Sequence, residues 1–231
     1  TVLLTLLFLA PLFSNLPKPV LAALIIEAVV MGMMNVPEMR RLARVQKFDF
    51  WIAIAAIIGT LIFGVLAGVV IGIVLSLFWL VRVATHPEMP SLGREPGTQV
   101  FREADGHPGD EIVPGIAVIR FDGGLFFATA DALEDRLREV IHSTPGLTGI
   151  VLDCGGINFV DSQGATKMAD IANLARESDV NLRLTRLKPE VRAVLERDGA
   201  IERIGADMIH GNVYRAVQAE QAAAQKRPGG A

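Results

Sequence analysis

An all-α membrane segment followed by a soluble α/β domain is the fold class this sequence predicts, and three observations carry it. The mean hydropathy is positive, +0.42, unusual for a soluble chain. That average conceals a split: residues 1–83 are mostly Leu, Ile, Val, Ala, Gly and Phe, whereas charges reach the density of a soluble domain from about Pro87 onward. Beyond residue 114, short apolar runs alternate with stretches of helical period, the pattern of a largely parallel sheet with helices against it. The predicted organisation is membrane helices over 1–83, a connector over 84–114, the α/β domain over 115–224 and a disordered tail over 225–231.

Residues 1–13 are apolar but too short to span a bilayer alone, because a span takes about 20 residues. The chain starts at Thr1, inside this run and without the basic start or small-residue cleavage site of a signal peptide. A truncated helix, with further chain upstream, is therefore expected. Residues 20–36 are of spanning length, with Pro19 where a helix tolerates proline and Pro37 where one stops. Glu27 lies near the middle of this span. A carboxyl group at that depth is expensive. It marks a polar pathway, such as proton coupling, or else a protonated or hydrogen-bonded glutamate at a helix contact. Residues 38–47 form a short arginine-rich connection, which places them on the cytoplasmic side.

Residues 50–81 are almost continuously apolar, about 30 residues with Trp51 and Trp79 near the ends, where aromatic rings suit the membrane–water boundary. With the basic connection and the soluble domain both cytoplasmic, the chain crosses an even number of times between them. Two full spans need about 40 residues. A hairpin of two shortened helices, turning between Gly59 and Gly68, is the predicted solution. Gly64, Gly68 and Gly72 recur every fourth residue on one helical face, where backbones can approach closely, although membrane helices are glycine-rich in any case.

The connector carries Pro, Gly and charge without a sustained apolar period. In the α/β domain, residues 116–121 predict a strand, broken by Asp122-Gly123-Gly124 and resumed at Leu125-Phe126-Phe127. Leu133, Leu137, Val140 and Ile141 mark a helix face, with Thr129 or Asp131 as its cap. Residues 149–154 form an apolar run consistent with a strand buried on both faces. Phe159-Val160-Asp161-Ser162-Gln163-Gly164 leads into a second helix whose inner side holds Met168, Ala172 and Ala175. Residues 181–187 alternate like a half-buried strand. Lys188-Pro189-Glu190 starts a helix that Gly199 closes, and a last helix spans about 213–223.

A formal net charge of −3 supplies no basic stripe for nucleic acid. The single cysteine, Cys154, excludes an intrachain disulfide and has the character of a small buried hydrophobe. His86, His107, His142 and His210 are scattered without second ligands at metal spacing, so they predict surface positions and no metal or cofactor. No P-loop, dinucleotide-binding or nucleophile-elbow spacing occurs, and Asp122-Gly123-Gly124 is a turn rather than a phosphate cradle. Asp153 and Asp161 come nearest to a pair of catalytic carboxylates. Aspartate readily bonds nearby backbone N–H groups, so a loop-organising role is expected instead and no catalytic residue is assigned. Arg183, Arg186, Lys188 and Arg192 form a solvated face or a surface for anionic lipid or an acidic partner.

Two stretches of the α/β part resemble the STAS domain shared by sulfate transporters and anti-sigma factor antagonists. They are the strand and turn from Arg120-Phe121-Asp122 to Phe127-Ala128-Thr129, and Val151-Leu152-Asp153 with Phe159-Val160-Asp161-Ser162-Gln163-Gly164. The membrane half is similar to the last helices of the sulfate permease family at Leu16-Pro17-Lys18-Pro19, at Lys47-Phe48-Asp49-Phe50 and at Leu92-Gly93-Arg94. The resemblance implies secondary active transport of an inorganic anion such as sulfate or bicarbonate, with chloride and dicarboxylates as further candidates, by an inverted-repeat, homodimeric membrane protein. It also implies a multi-pass protein of the cell membrane whose STAS domain is cytoplasmic and serves regulation and assembly. The anion then sits between two half-helices whose N-terminal ends face each other, upstream of Thr1, and these residues hold no complete transport site.

The loop formed by Asp153, Asp161, Ser162, Gln163 and Gly164 is then the regulatory surface, with a cytoplasmic protein as partner. In anti-sigma factor antagonists a phosphorylated hydroxyl residue lies just before the glycine of this loop. Gln163 holds that position here and cannot accept phosphate; Ser162, one residue earlier, is expected to cap the following helix and is the remaining phosphorylation candidate. A second functional class fits the same residues: a membrane-tethered STAS module that recruits a protein partner without transport.

Overall fold

A computed structural model describes residues 17–33 and 35–226. The helix expected over 1–13 and the tail beyond Lys226 lie outside the described residues. The chain forms two compact units, Thr1–Leu77 and Phe78–Ala231.

In the first unit, helix α1 (Lys18–Glu27) begins directly after Pro17 and widens into a π-helical stretch over Ala28–Met33. The helical run thus covers residues 18–33, against the single span expected over 20–36. Asn35 accepts a hydrogen bond from the Glu38 N–H at 3.0 Å and starts a new helix, α2 (Val36–Val45), with Pro37 in its first turn. The connection read as a basic loop is this helix. Its sequence is amphipathic: Met39, Leu42 and Ala43 share a half-buried side, while Arg40, Arg41 and Arg44 stand exposed on the other.

Helices α3 (Lys47–Phe63) and α4 (Val65–Ala84) are separated by Gly64, whose φ of +92° is open to glycine at little cost. The two helices meet at close range on the far side of that break. A Cβ at Gly68 would lie 1.9 Å from Thr60 Oγ1, and one at Gly72 would touch Ala56 Cβ at 3.4 Å. The pairs 60/68 and 56/72 run in opposite chain directions, as in a hairpin. The turn falls inside the expected interval, but Gly64 is the hinge rather than part of the contact face. Nor are both helices shortened: α4 has 20 residues and is long and apolar enough to cross a membrane by itself. Their outward faces carry bare apolar side chains, among them Leu61, Phe63, Leu66 and Ile73.

In the second unit, the stretch expected to be a plain connector carries an antiparallel ribbon, β1 (Leu92–Arg94) with β2 (Phe101–Glu103). Just before it, the chain lies antiparallel beside strand β3 (Ile116–Arg120): the Arg120 N–H donates to Pro90 O and the Asp122 N–H to Glu88 O. The segment thus covers a sheet edge that would otherwise be an exposed template for pairing. Strands β3, β4 (Gly149–Asp153), β5 (Asn181–Thr185) and β6 (Ile209–His210) form a wholly parallel sheet in that order. Their crossovers are α5 (Ala130–Ser143), α6 (Ser162–Glu177) and the pair α7 (Pro189–Asp198) and α8 (Ala200–Ile204).

Alternation along the strands sorts side chains between two cores. Ile119, Ile150, Leu152, Leu182 and Leu184 join Leu133, Leu137, Met168, Ile171 and Leu195 of the crossover helices in the larger one. Ile116, Val118 and Val151 join Leu92 of the ribbon and Val213, Ala216 and Val217 of the last helix, α9 (Val213–Lys226), in the smaller. Helix α9 runs to Lys226, past the expected end at 223. Leu125-Phe126-Phe127 does not resume a strand: Leu125 makes a single parallel bridge to Val160, and the chain then turns through Phe126 into α5.

Candidate functional site

The loop from β4 to α6 begins at Asp153, whose side chain is 1% exposed at the carboxyl end of the central strand. A carboxylate so placed needs partners. The Arg186 Nε donates to Oδ1 at 2.6 Å, Arg186 Nη2 donates to Oδ2, and the Gly155 N–H donates to Oδ1 at 3.1 Å. Arg186 directly follows β5 with φ +54°, a left-handed conformation uncommon for a non-glycine residue. Asp153 is therefore an ion-paired anchor, and with Arg186, Asn212 and Tyr214 it lines a cleft of about 250 Å³.

Asp161 takes the capping role expected of Ser162. Its backbone is extended, and its Oδ1 accepts the Gly164 N–H at 2.7 Å, closing the first turn of α6. Its Oδ2 accepts the Phe127 N–H from the entry to α5 at 3.2 Å. Two carboxylate oxygens serve both elements at once, which one serine hydroxyl cannot do, and the negative charge suits a helix N-terminus. Ser162 is displaced to the first helical position and stands exposed beside Gln163. Gly164 has no room for a side chain: a Cβ there would lie 2.3 Å from the Leu125 carbonyl oxygen.

Ser162 and Gln163 line a cleft of about 380 Å³ between the starts of α5 and α6, together with Phe127, Asp131 and Lys167. Lys167 reaches Asp131 and Glu134, each at 2.8 Å, and these carboxylates hold its ammonium pKa well above the usual lysine range. Glu134 is held below its ordinary value by Lys167 and then by Arg138. Thr129 occupies the cap position of α5 without capping it. Its buried hydroxyl donates to Gly124 O at 2.7 Å and fastens the preceding turn. Two aromatic rings stand out at this surface, Phe127 at 65% and Phe159 at 58% exposure.

The loop residues thus divide, Asp153 toward one cleft and Ser162 and Gln163 toward another, and Asp153 and Asp161 are committed to different partners. Several residues depart from the sequence expectation. Arg183 is buried and donates from Nε to Glu220 at 2.7 Å, and Arg186 is paired with Asp153. Lys188 donates to Asn158 Oδ1, and Arg192 pairs with Glu196, so the four cations form no free basic patch. His210 is half-buried against Arg183 Nη1 at 3.2 Å rather than on the surface, and burial together with Arg183 pushes its pKa down. Cys154 is fully buried, and that burial raises its thiol pKa to about 12. Among the described residues, no group of three or more His, Cys, Asp or Glu side chains forms a metal site. Glu27 closes the α-helical part of α1 where the π-stretch begins.

Comparison with known proteins bears on both halves. The model of the sulfate permease family matches residues 1–56, and that of the STAS domain matches residues 107–219. The chloroplastic sulfate transporter 4.1 of Arabidopsis thaliana is 32% identical over 226 residues, 93% of this chain and 33% of that protein. High affinity sulfate transporter 2 of Stylosanthes hamata is 31% identical over 94% of this chain and 34% of its own length. The chain therefore spans about a third of the length of the relatives it matches. Among solved structures, the murine anion transporter Solute Carrier 26 family member A9 in the inward-facing state gives a TM-score of 0.75 at 20% identity. It covers 95% of this chain and 36% of that one, a likeness of fold. The chain is thus a membrane protein in which a segment matching the sulfate permease family precedes a STAS domain, similar over nearly its whole length to sulfate transporters.

Proposed function

We propose that this chain is the C-terminal part of a secondary active anion transporter, with sulfate or bicarbonate as substrate and a cytoplasmic STAS domain that regulates and assembles it. One observation carries this: a permease segment and a STAS domain occur together, in the relatives' order, across nearly the whole chain. In this proposal anion binding belongs to the part of the relatives' length that these residues do not cover, and the chain itself has no catalytic role. Glu27, at the junction of α1 with its π-stretch, is proposed to face a polar pathway, since an acidic group at membrane depth is otherwise costly.

The STAS loop is proposed as the recruitment surface. Asp153 and Asp161 hold it in shape, and Ser162 and Gln163 present its exposed edge beside Phe127 and Phe159. Exposed aromatic rings beside a polar rim are favourable anchors for a protein partner. Homodimerisation through the full-length transporter belongs to the same proposal. The test is anion uptake into proteoliposomes by the full-length protein, with these 231 residues alone as control and sulfate, bicarbonate, chloride and dicarboxylates as competitors. Saturable uptake by the full-length protein alone supports transport. A folded protein that moves no anion but retains a cytoplasmic partner through the STAS loop supports the tethered module instead.

A further inference from the structure

Helix α2 joins two membrane segments, and its polar side has an unusual surplus of unpaired charge. Arg40 and Arg44 lie one turn apart on the exposed side, opposite the half-buried Met39, Leu42 and Ala43. Lys47 follows at the start of α3. Arg41 is engaged by Glu38, whose carboxylate takes its Nε at 2.9 Å and its Nη2 at 2.7 Å. Arg40, Arg44 and Lys47, by contrast, make no side-chain hydrogen bond or ion pair among the described residues. After Glu38, the next acidic residue along the chain, Asp49, stands in the first turn of α3, where the helix N-terminus favours a carboxylate.

An amphipathic helix with exposed arginines, flanked on both sides by apolar helices, lies at the depth of lipid headgroups. Three cations at that depth without side-chain partners among the described residues are complementary to phosphate-bearing lipids. We infer that Arg40, Arg44 and Lys47 form an electrostatic docking surface for the anionic phospholipids of the adjacent leaflet. This rests on the membrane reading of α1, α3 and α4. Each cation near an anionic surface strengthens attachment about fivefold, so the three together strengthen it on the order of a hundredfold. The attachment falls with salt, because exposed charges are screened beyond about 10 Å. Its consequence is mechanical. The helix that links α1 to the α3–α4 hairpin would be held at the membrane surface by lipid charge rather than by protein contacts alone.

The test is hydrogen exchange over amides 39–46 in the full-length protein, in nanodiscs of phosphatidylcholine alone or with added phosphatidylglycerol. Exchange at least tenfold slower with phosphatidylglycerol is expected. The triple variant R40Q/R44Q/K47Q should erase the difference, and R40K/R44K should keep it, because the surface reads charge rather than guanidinium shape. Equal exchange in both lipids, or a difference that survives the triple variant, would overturn the inference. So would slowing produced by soluble glycerol phosphate in phosphatidylcholine discs, or slowing that requires an acidic polypeptide. Quenching of Trp51 by lipids with brominated acyl chains keeps the two readings apart. An unquenched Trp51 sinks the membrane reading of α3, whereas a quenched Trp51 with equal exchange sinks the lipid surface alone.

Discussion

Helix α9 is fastened to the sheet by a buried ion pair, and removing one partner should loosen it. Glu220 is fully buried, and Arg183 is 7% exposed beneath it. The carboxylate accepts from Arg183 Nε at 2.7 Å and from Asn181 Nδ2 at 3.0 and 3.1 Å, while Arg183 Nη1 faces His210 Nε2. Glu220→Leu strands the guanidinium in the smaller apolar core, a change that costs about 3–5 kcal/mol in such sites. Glu220→Gln keeps the shape and loses the charge, at about 1.5–3 kcal/mol. The double variant Arg183→Leu/Glu220→Leu removes both charges and should return to within about 1 kcal/mol of the parent, because a buried pair is often no better than a hydrophobic replacement. The assay is native-state hydrogen exchange over α9, Val213–Lys226, in the detergent-solubilised chain. A Glu220→Leu cost below about 1 kcal/mol, or a double variant as unstable as the sum of the singles, would refute the coupling.

Four further outcomes follow from the same geometry. Asp161→Ala removes the cap of α6 and the tie to Phe127, so amides over 162–166 should exchange several-fold faster, about 1 kcal/mol of local stability, with Asp161→Asn affected less. His210 has a folded-state pKa below 6.5, so the unfolded chain takes up its proton first on acidification. Stability should hold above about pH 6.5 and fall as the pH drops toward the folded value, a dependence that thermal unfolding of His210→Gln should show flattened. Cys154, with its thiol pKa at about 12, should resist a thiol reagent in the native protein and react only after unfolding. Gly68→Val forces a Cβ into the Thr60 backbone and should reduce the yield of folded protein by size exclusion in detergent, while Gly72→Ala, in ordinary contact with Ala56, should not.

Much of the architecture was legible because burial imposes period. The run over 149–154 is buried on both faces as its composition required, and Met168, Ala172 and Ala175 all turn inward on α6. What escaped was pairing between distant residues. Arg183 had the alternation of a half-buried strand, and only Glu220, 37 positions away, explains why a cation faces inward there. Arg186 showed no local sign that it would clamp Asp153. The stretch over 88–103 lacked a sustained apolar period because backbone hydrogen bonds hold it: residues 88–91 to the sheet edge at Arg120 and Asp122, and the ribbon strands to each other. Ser162 was a reasonable cap by residue type, but Asp161 offers two acceptors to two helices. The break before α2 was hidden for a simpler reason: apolar composition continues from α1 through the π-helical stretch, and Asn35 with Pro37 marks the new start.

The claim that matters most is transport. The measurement that tests it most directly is the time course of labelled sulfate entering proteoliposomes that hold the full-length protein, with unlabelled anions as competitors. The account predicts saturable entry that bicarbonate or excess sulfate suppresses and that proteoliposomes holding only these 231 residues lack. A correctly inserted, folded full-length protein that admits no anion above the empty-liposome rate would contradict it.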